Sequence, residues 1–167
     1  LIGKTLGIVG LGGIGKMVAR RAGGYKMNII YNKHTRDMEC ETQMGVRYCD
    51  LDSLLAESDV VTLHVPLTPE TRHIINKTTL AKMKKGAFLV NTARGAVIDE
   101  TALIQALQSG HLGGAALDVF DKEPHIAEEL IKSPNVILTP HIASATWEAR
   151  NKMGELAVNA ILDFVDG

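Results

Sequence analysis

A short apolar run that ends in spaced glycines and continues at once as a helix leaves a chain few folds to choose from. Residues 5–15 read Thr-Leu-Gly-Ile-Val-Gly-Leu-Gly-Gly-Ile-Gly. Leu6, Ile8 and Val9 predict a buried strand. Gly10-Leu11-Gly12-Gly13-Ile14-Gly15 is a GxGxxG turn. Ile14, Val18 and Ala22 then fall on one helical face, with Lys16 and Arg20 off it. Strand, glycine turn and helix in that order form the context in which GxGxxG signals a dinucleotide site. Gly10 permits the tight turn, Gly12 lets backbone approach a pyrophosphate, and Gly15 lets helix and strand pack closely. The free N–H groups and positive dipole end of the helix attract the phosphates. The plain alternative is a strand-to-helix turn that holds no ligand.

The next strand is expected over 27–31, and the residue that closes it meets an adenosine ribose in such a fold. A carboxylate there bonds the 2′-hydroxyl of NAD. Here the position, 22 residues after Gly10, is Asn32, with Lys33 and Arg36 close behind. Asn does not repel a 2′-phosphate and two cations attract it, so NADP is expected in preference to NAD. Two screened contacts would favour it about 30-fold. The bland reading of the same residues is a solvated basic turn.

Further along, apolar runs at 46–48, 60–64, 87–90, 114–119 and 136–138 predict strands. Helices are expected over 52–56, over 77–83 behind an Asn76 cap, and from the Asp99 cap to Gly110. A long terminal helix is expected to start near Ser144. Ala149, Met153, Leu156, Ala160 and Phe164 recur in it with a helical period. Strands alternating with helices call for an α/β fold: a Rossmann-type doubly wound parallel sheet with helices on both faces. Ligands in such sheets lie beyond the C-terminal strand ends. Asn32, Arg94, Asp118, Glu123 and His141 all fall there. His64 also closes a strand, but with no carboxylate or second His near it in sequence it is read as structural. The other four histidines are read as ordinary surface or loop residues.

With 167 residues, 46% apolar and 22% charged, the chain has the composition of one globular domain. A net charge of −1 gives no reason to expect a nucleic-acid or membrane-surface partner. Cys40 and Cys49 have no CxxC or Cys/His companions, so free thiols in a reducing compartment and no metal site are expected. No apolar run is long enough for a membrane helix, and a soluble cytoplasmic protein is expected. The first strand begins almost at residue 1, which suggests a domain from a longer chain.

Arg94, Glu123 and His141 lie 29 and 18 residues apart, each just past a different strand. An Arg presents a planar fork that suits a carboxylate. A His exchanges a proton near neutral pH, and a Glu beside it holds its ring and stabilises the charge it gains. Together they suit reduction of a 2-keto acid, or oxidation of a 2-hydroxy acid, beside a nicotinamide.

GLGGIG, NTARGAVIDE at 91–100, ALDVFDKEP at 116–124 and TPHIAS at 139–144 resemble the cofactor domain of the D-2-hydroxyacid dehydrogenases, over nearly the whole chain. Through its Asn32–Arg36 turn the chain looks closest to the glyoxylate/hydroxypyruvate reductase branch. The resemblance implies that Arg94 binds the substrate carboxylate and helps place the nicotinamide. It implies that His141 is the general acid/base, paired with Glu123, and that Asp118 contacts the nicotinamide amide. Gly13 and Ile14 would present N–H groups to the pyrophosphate. Thr92 and Ala93, with Val65, Pro66 and Ala143, would line the cofactor. A second, substrate-binding domain and a homodimer built through this domain are also implied. The family's usual acidic residue is absent at Asn32, which sets the chain apart from the NAD-specific pattern. A nucleotide-sensing module resembling the C-terminal-binding-protein corepressors is the alternative from another class.

Overall fold

The computed structural model describes residues 1–165. Its centre is a seven-stranded sheet, parallel throughout, in the order β3-β2-β1-β4-β5-β6-β7. The strands are β1 (Thr5–Val9), β2 (Asn28–Asn32), β3 (Arg47–Tyr48), β4 (Val60–Leu63), β5 (Phe88–Asn91), β6 (Gly114–Leu117) and β7 (Val136–Leu138). The helices are α1 (Gly13–Gly24), α2 (Met38–Met44), α3 (Leu51–Glu57), α4 (Lys77–Lys82), α5 (Glu100–Gln108), α6 (Glu128–Ile131) and α7 (Trp147–Val165). Each expected strand is present, within one or two residues; β6 ends at Leu117, two residues short of the expected end. The strand order reverses at β1, so ligand space opens beyond the ends of β1 and β4.

Side chains alternate across the strands and divide the interior in two. On one face Leu6, Ile8, Ile29 and Tyr31 pack with Ala19 and Ala22 of α1 and Cys40 of α2. On the other, Val9, Ile30, Val61, Leu63 and Leu89 pack with Leu54, Leu80 and Leu103 of α3, α4 and α5. Among the described residues the first cluster reaches from β3 to β4, where Val60 packs against it. Beyond it Phe88 and Ile137 are exposed.

Local chemistry explains the elements. Asp37, Asp50, Asn76 and Asp99 each cap a helix through a side-chain oxygen, and Asn76 does so in a capping box with Thr79. The buried face of α1 is Gly15, Ala19 and Ala22, not the expected Ile14, Val18 and Ala22. Ile14 is 68% exposed. The smallest side chains face the sheet because α1 lies close on it. Helices α2 and α6 were not foreseen. The terminal helix begins at Trp147 rather than near Ser144, and none of its residues is buried. No described helix is long and apolar enough to cross a membrane.

Candidate active site

The glycine turn is shaped by contact. Gly10 has φ +98, a conformation that side chains with a Cβ rarely adopt. A Cβ on Gly15 would lie 2.3 Å from the Gly10 carbonyl oxygen, so α1 can leave β1 this closely only through glycine. A Cβ on Gly12 or Gly13 would meet no described atom within 4 Å. That bare surface is the start of α1, which has no capping side chain and no acidic residue in its first turn. Uncapped N–H groups, a positive helix end and open space fit a pyrophosphate.

At the end of β2, Asn32 donates from Nδ2 to the Cys49 carbonyl at 3.0 Å. The Gly10 N–H donates to the Asn32 carbonyl at 2.9 Å and joins the two turns. The cations expected to stand ready here are already paired. Arg36 forks onto Glu41 through Nε and Nη2 at 2.8 and 2.7 Å. Lys33 lies 3.6 Å from Asp37, and Lys16 reaches the same oxygen at 2.9 Å. The Arg36 guanidinium holds the Glu41 carboxyl below its usual range, and Lys16 does the same to Asp37.

A cleft of about 390 Å³ runs from α1 toward Arg94, lined by Ile14, His64, Val65, Pro66, Leu67, Thr92, Ala93 and Arg94. It collects the expected cofactor residues from three separate segments. His64 is half-buried, its Nε2 3.0 Å from Thr62 Oγ1, and burial pushes its pKa down, so it is a neutral wall residue. Arg94 is positioned by Asn91, which is fully buried. The Asn91 amide donates to the Arg94 carbonyl at 2.9 Å, and its Oδ1 accepts the Ala93 N–H at 3.0 Å. The Arg94 side chain is exposed and donates from Nη1 to the Ala93 carbonyl at 2.6 Å. Gly95 presses on the next loop: a Cβ there would sit 1.9 Å from the Phe120 carbonyl carbon.

His141 and Glu123 meet, with Nδ1 2.9 Å from Oε2. The other Glu123 oxygen accepts the Phe120 N–H at 3.0 Å. His141 beside it, and then this N–H, hold the Glu123 carboxyl below its ordinary range. Asp118 is buried and anchors the His141 loop. Its Oδ1 accepts from Thr139 Oγ1 at 2.6 Å and from the Ile142 N–H at 2.9 Å, and its Oδ2 accepts from the Ala143 N–H at 2.9 Å. Burial raises the Asp118 pKa, but these donors outweigh it and the net shift is downward. Three bonds are already made to Asp118, two on Oδ1 and one on Oδ2, which leaves Oδ2 one acceptor position. The backbone N–H of Ala143, likewise, is engaged by Asp118 rather than open.

Sequence reasoning passed over Asn91, Thr139, Lys16 and Asp37. Asn91 and Thr139 lay inside quoted motifs, and their positions at strand ends were the available signal. A larger cleft, about 620 Å³, lies over α5 and contains neither Arg94, Glu123 nor His141. Among the described residues no group of three His, Cys, Asp or Glu side chains could hold a metal ion. Cys40 and Cys49 are free, and both are buried.

Known proteins resemble this chain in sequence and fold. The family model of the D-isomer specific 2-hydroxyacid dehydrogenase NAD-binding domain matches residues 1–143. A glyoxylate reductase of Thermococcus litoralis is 53% identical over the whole chain, which covers 50% of that protein. The crystal structure of a glyoxylate reductase from Paecilomyes thermophila superposes with a TM-score of 0.90 at 48% identity, over 95% of this chain and 48% of that one. A D-lactate dehydrogenase from Aquifex aeolicus, solved with NAD and lactic acid, gives 0.91 at 37% identity, over 98% of this chain and 54% of that one. The chain spans about half the length of the relatives it matches. The glycine turn, the parallel sheet and the match across residues 1–143 make it a member of the D-isomer specific 2-hydroxyacid dehydrogenase NAD-binding domain family.

Proposed function

We propose that the chain is the cofactor-binding part of a reductase for glyoxylate or a similarly small 2-keto acid such as hydroxypyruvate. The observation that carries the reading is the Glu123–His141 pair, held past β7 by Asp118, on the same side of the sheet as the glycine turn. The identity to glyoxylate reductases along the whole chain supports the substrate class. It favours an enzyme over a nucleotide-sensing module.

The resemblance, with the geometry in its support, gives these roles. Gly13 and Ile14 offer backbone N–H groups to the pyrophosphate, and Asn32 lies at the adenosine ribose. Val65, Pro66, Thr92, Ala93 and Ala143 flank the nicotinamide end. When bound, the nicotinamide supplies the hydride for the substrate C2. Arg94 has one of its five N–H donors on Ala93 and presents others to the substrate carboxylate. Because Glu123 occupies Nδ1, His141 gives its proton from Nε2 to the carbonyl oxygen. Glu123 accepts from Nδ1–H and stabilises the charged ring before that transfer. The reverse steps oxidise a 2-hydroxy acid.

NADPH is the preferred reductant, by about fivefold rather than thirtyfold, because Lys33 and Arg36 already have carboxylate partners. The working protein is a cytoplasmic homodimer, and two free buried thiols suit a reducing compartment. Residues 1–167 alone bind cofactor but turn over slowly, because Arg94 and His141 are open to water there. The test is an assay of the intact protein with glyoxylate and hydroxypyruvate, following oxidation of NADPH and NADH. Turnover with either acid is expected, and no oxidation of either cofactor overturns the reading. Fluorescence titration reads the preference, and equal or tighter NADH binding removes it.

A further inference from the structure

The turn after β2 holds more charge than its own cations. Lys16, from the first turn of α1, and Lys33 converge on one oxygen of Asp37, at 2.9 and 3.6 Å. The other Asp37 oxygen accepts the Cys40 N–H and caps α2. The Asp37 N–H donates to the Tyr31 hydroxyl, which donates to Glu41, and Glu41 takes the Arg36 fork. Three cations are thus gathered by two carboxylates beside the glycine turn. Asp37 is largely shielded, with 13% of its side chain exposed, whereas Lys16 and Lys33 remain 41% and 36% exposed. The lysine ends are therefore anchored but still open to solvent on their outer side.

We infer that Asp37 sets the discrimination between the 2′-phosphorylated and unphosphorylated cofactor by holding Lys16 and Lys33 at the adenosine end. Asp37 supplies, five residues further on, the negative charge that Asn32 lacks. Its single charge offsets part of the positive charge of the two lysines that a 2′-phosphate would otherwise recruit in full. Lys16 thereby becomes a specificity residue although it lies on another element, and residues 33–36 alone do not decide the choice. The inference rests on the reading that this turn receives the adenosine ribose.

The test is binding of NADPH and NADH, read by reduced-nicotinamide fluorescence at low salt, to the intact protein and to Asp37→Asn. Asn keeps a capping oxygen for Cys40, so α2 survives, and a melting curve checks that it does. NADPH affinity is expected to rise about tenfold. NADH affinity should stay within about twofold, because it offers no 2′-phosphate. In the Asp37→Asn background, Lys16→Met should return most of the gain, which a cycle of the four proteins measures as coupling. An unchanged NADPH/NADH ratio in a folded Asp37→Asn protein overturns the assignment, as does a gain that Lys16→Met leaves intact. Failure of the unaltered protein to bind either cofactor overturns the underlying reading instead.

Discussion

His141 has φ +54, in the left-handed region where residues with a Cβ are uncommon and Asn is among the best tolerated. That makes His141→Asn a clean probe, since the loop keeps its shape while the ring is lost. Turnover by the intact protein should fall about 10²–10⁴-fold, the usual worth of a general acid/base, with cofactor affinity little changed. A fall of less than about threefold would remove His141 from proton transfer. The glycine turn separates room from fit in the same way. Gly12→Ala places its methyl in open space and should fold normally, yet weaken cofactor binding at least tenfold (about 1.4 kcal/mol) by intruding where the pyrophosphate lies. Gly15→Ala meets the Gly10 carbonyl at 2.3 Å and should cost about 1–3 kcal/mol of stability. Melting curves and titrations of both variants distinguish the two effects. Normal binding by Gly12→Ala would rule out close approach at that residue. At this scale the sequence was most legible in the pairing of Glu123 with His141, which the structure brings to 2.9 Å. The partners of Asp118 were not legible, because its donors lie 21–25 residues away and only the packed sheet brings them in. The Lys33–Asp37 pair, four residues apart, could have been read.

Elements with strong local chemistry could be placed from the chain alone: the capped helices α3, α4 and α5, and the apolar strands. Helix α2 (Met-Glu-Cys-Glu-Thr-Gln-Met) has no apolar period and stands on the Asp37 cap and one buried cysteine. Helix α1 misled because a period of large apolar residues was sought where glycine and alanine face the sheet. The loop after β7 is held by carboxylates, and that gives it a pH signature. Asp118 and Glu123 both titrate below their ordinary ranges in the folded chain. Their contribution to stability is therefore complete above the unfolded values, about 3.9 and 4.3, and is lost as pH falls through the lowered folded values. The melting temperature should lose their contribution only below about pH 4. Glu123→Gln should flatten part of that acid slope. The same slope in the variant would show that the Glu123–His141 contact contributes nothing to folding.

For the molecule as a whole, alternation of strands and helices was enough to predict a parallel doubly wound sheet. It could not show that, among the described residues, Phe88 and Ile137 lie exposed on one face, because both look like core residues in sequence. Exposed apolar side chains on α7, including Trp147, Leu156 and Phe164, were equally hidden by their regular period. The proposed two-fold dimer belongs to this scale. Sedimentation at micromolar concentration should show twice the 18.0 kDa chain mass, and a purely monomeric profile would count against it.

The interior position of β1 and β4 in the sheet, set against an α7 with no buried residue, sets a gradient in time. Amides of β1 and β4 have partners on both sides, so their exchange with deuterated solvent waits for global opening. Those of α7, with no buried side chain, exchange through local opening. His141 lies between the edge strand β7 and α7. His141 is thus tied through its loop to Asp118 at the end of β6 and is continuous with the least protected helix.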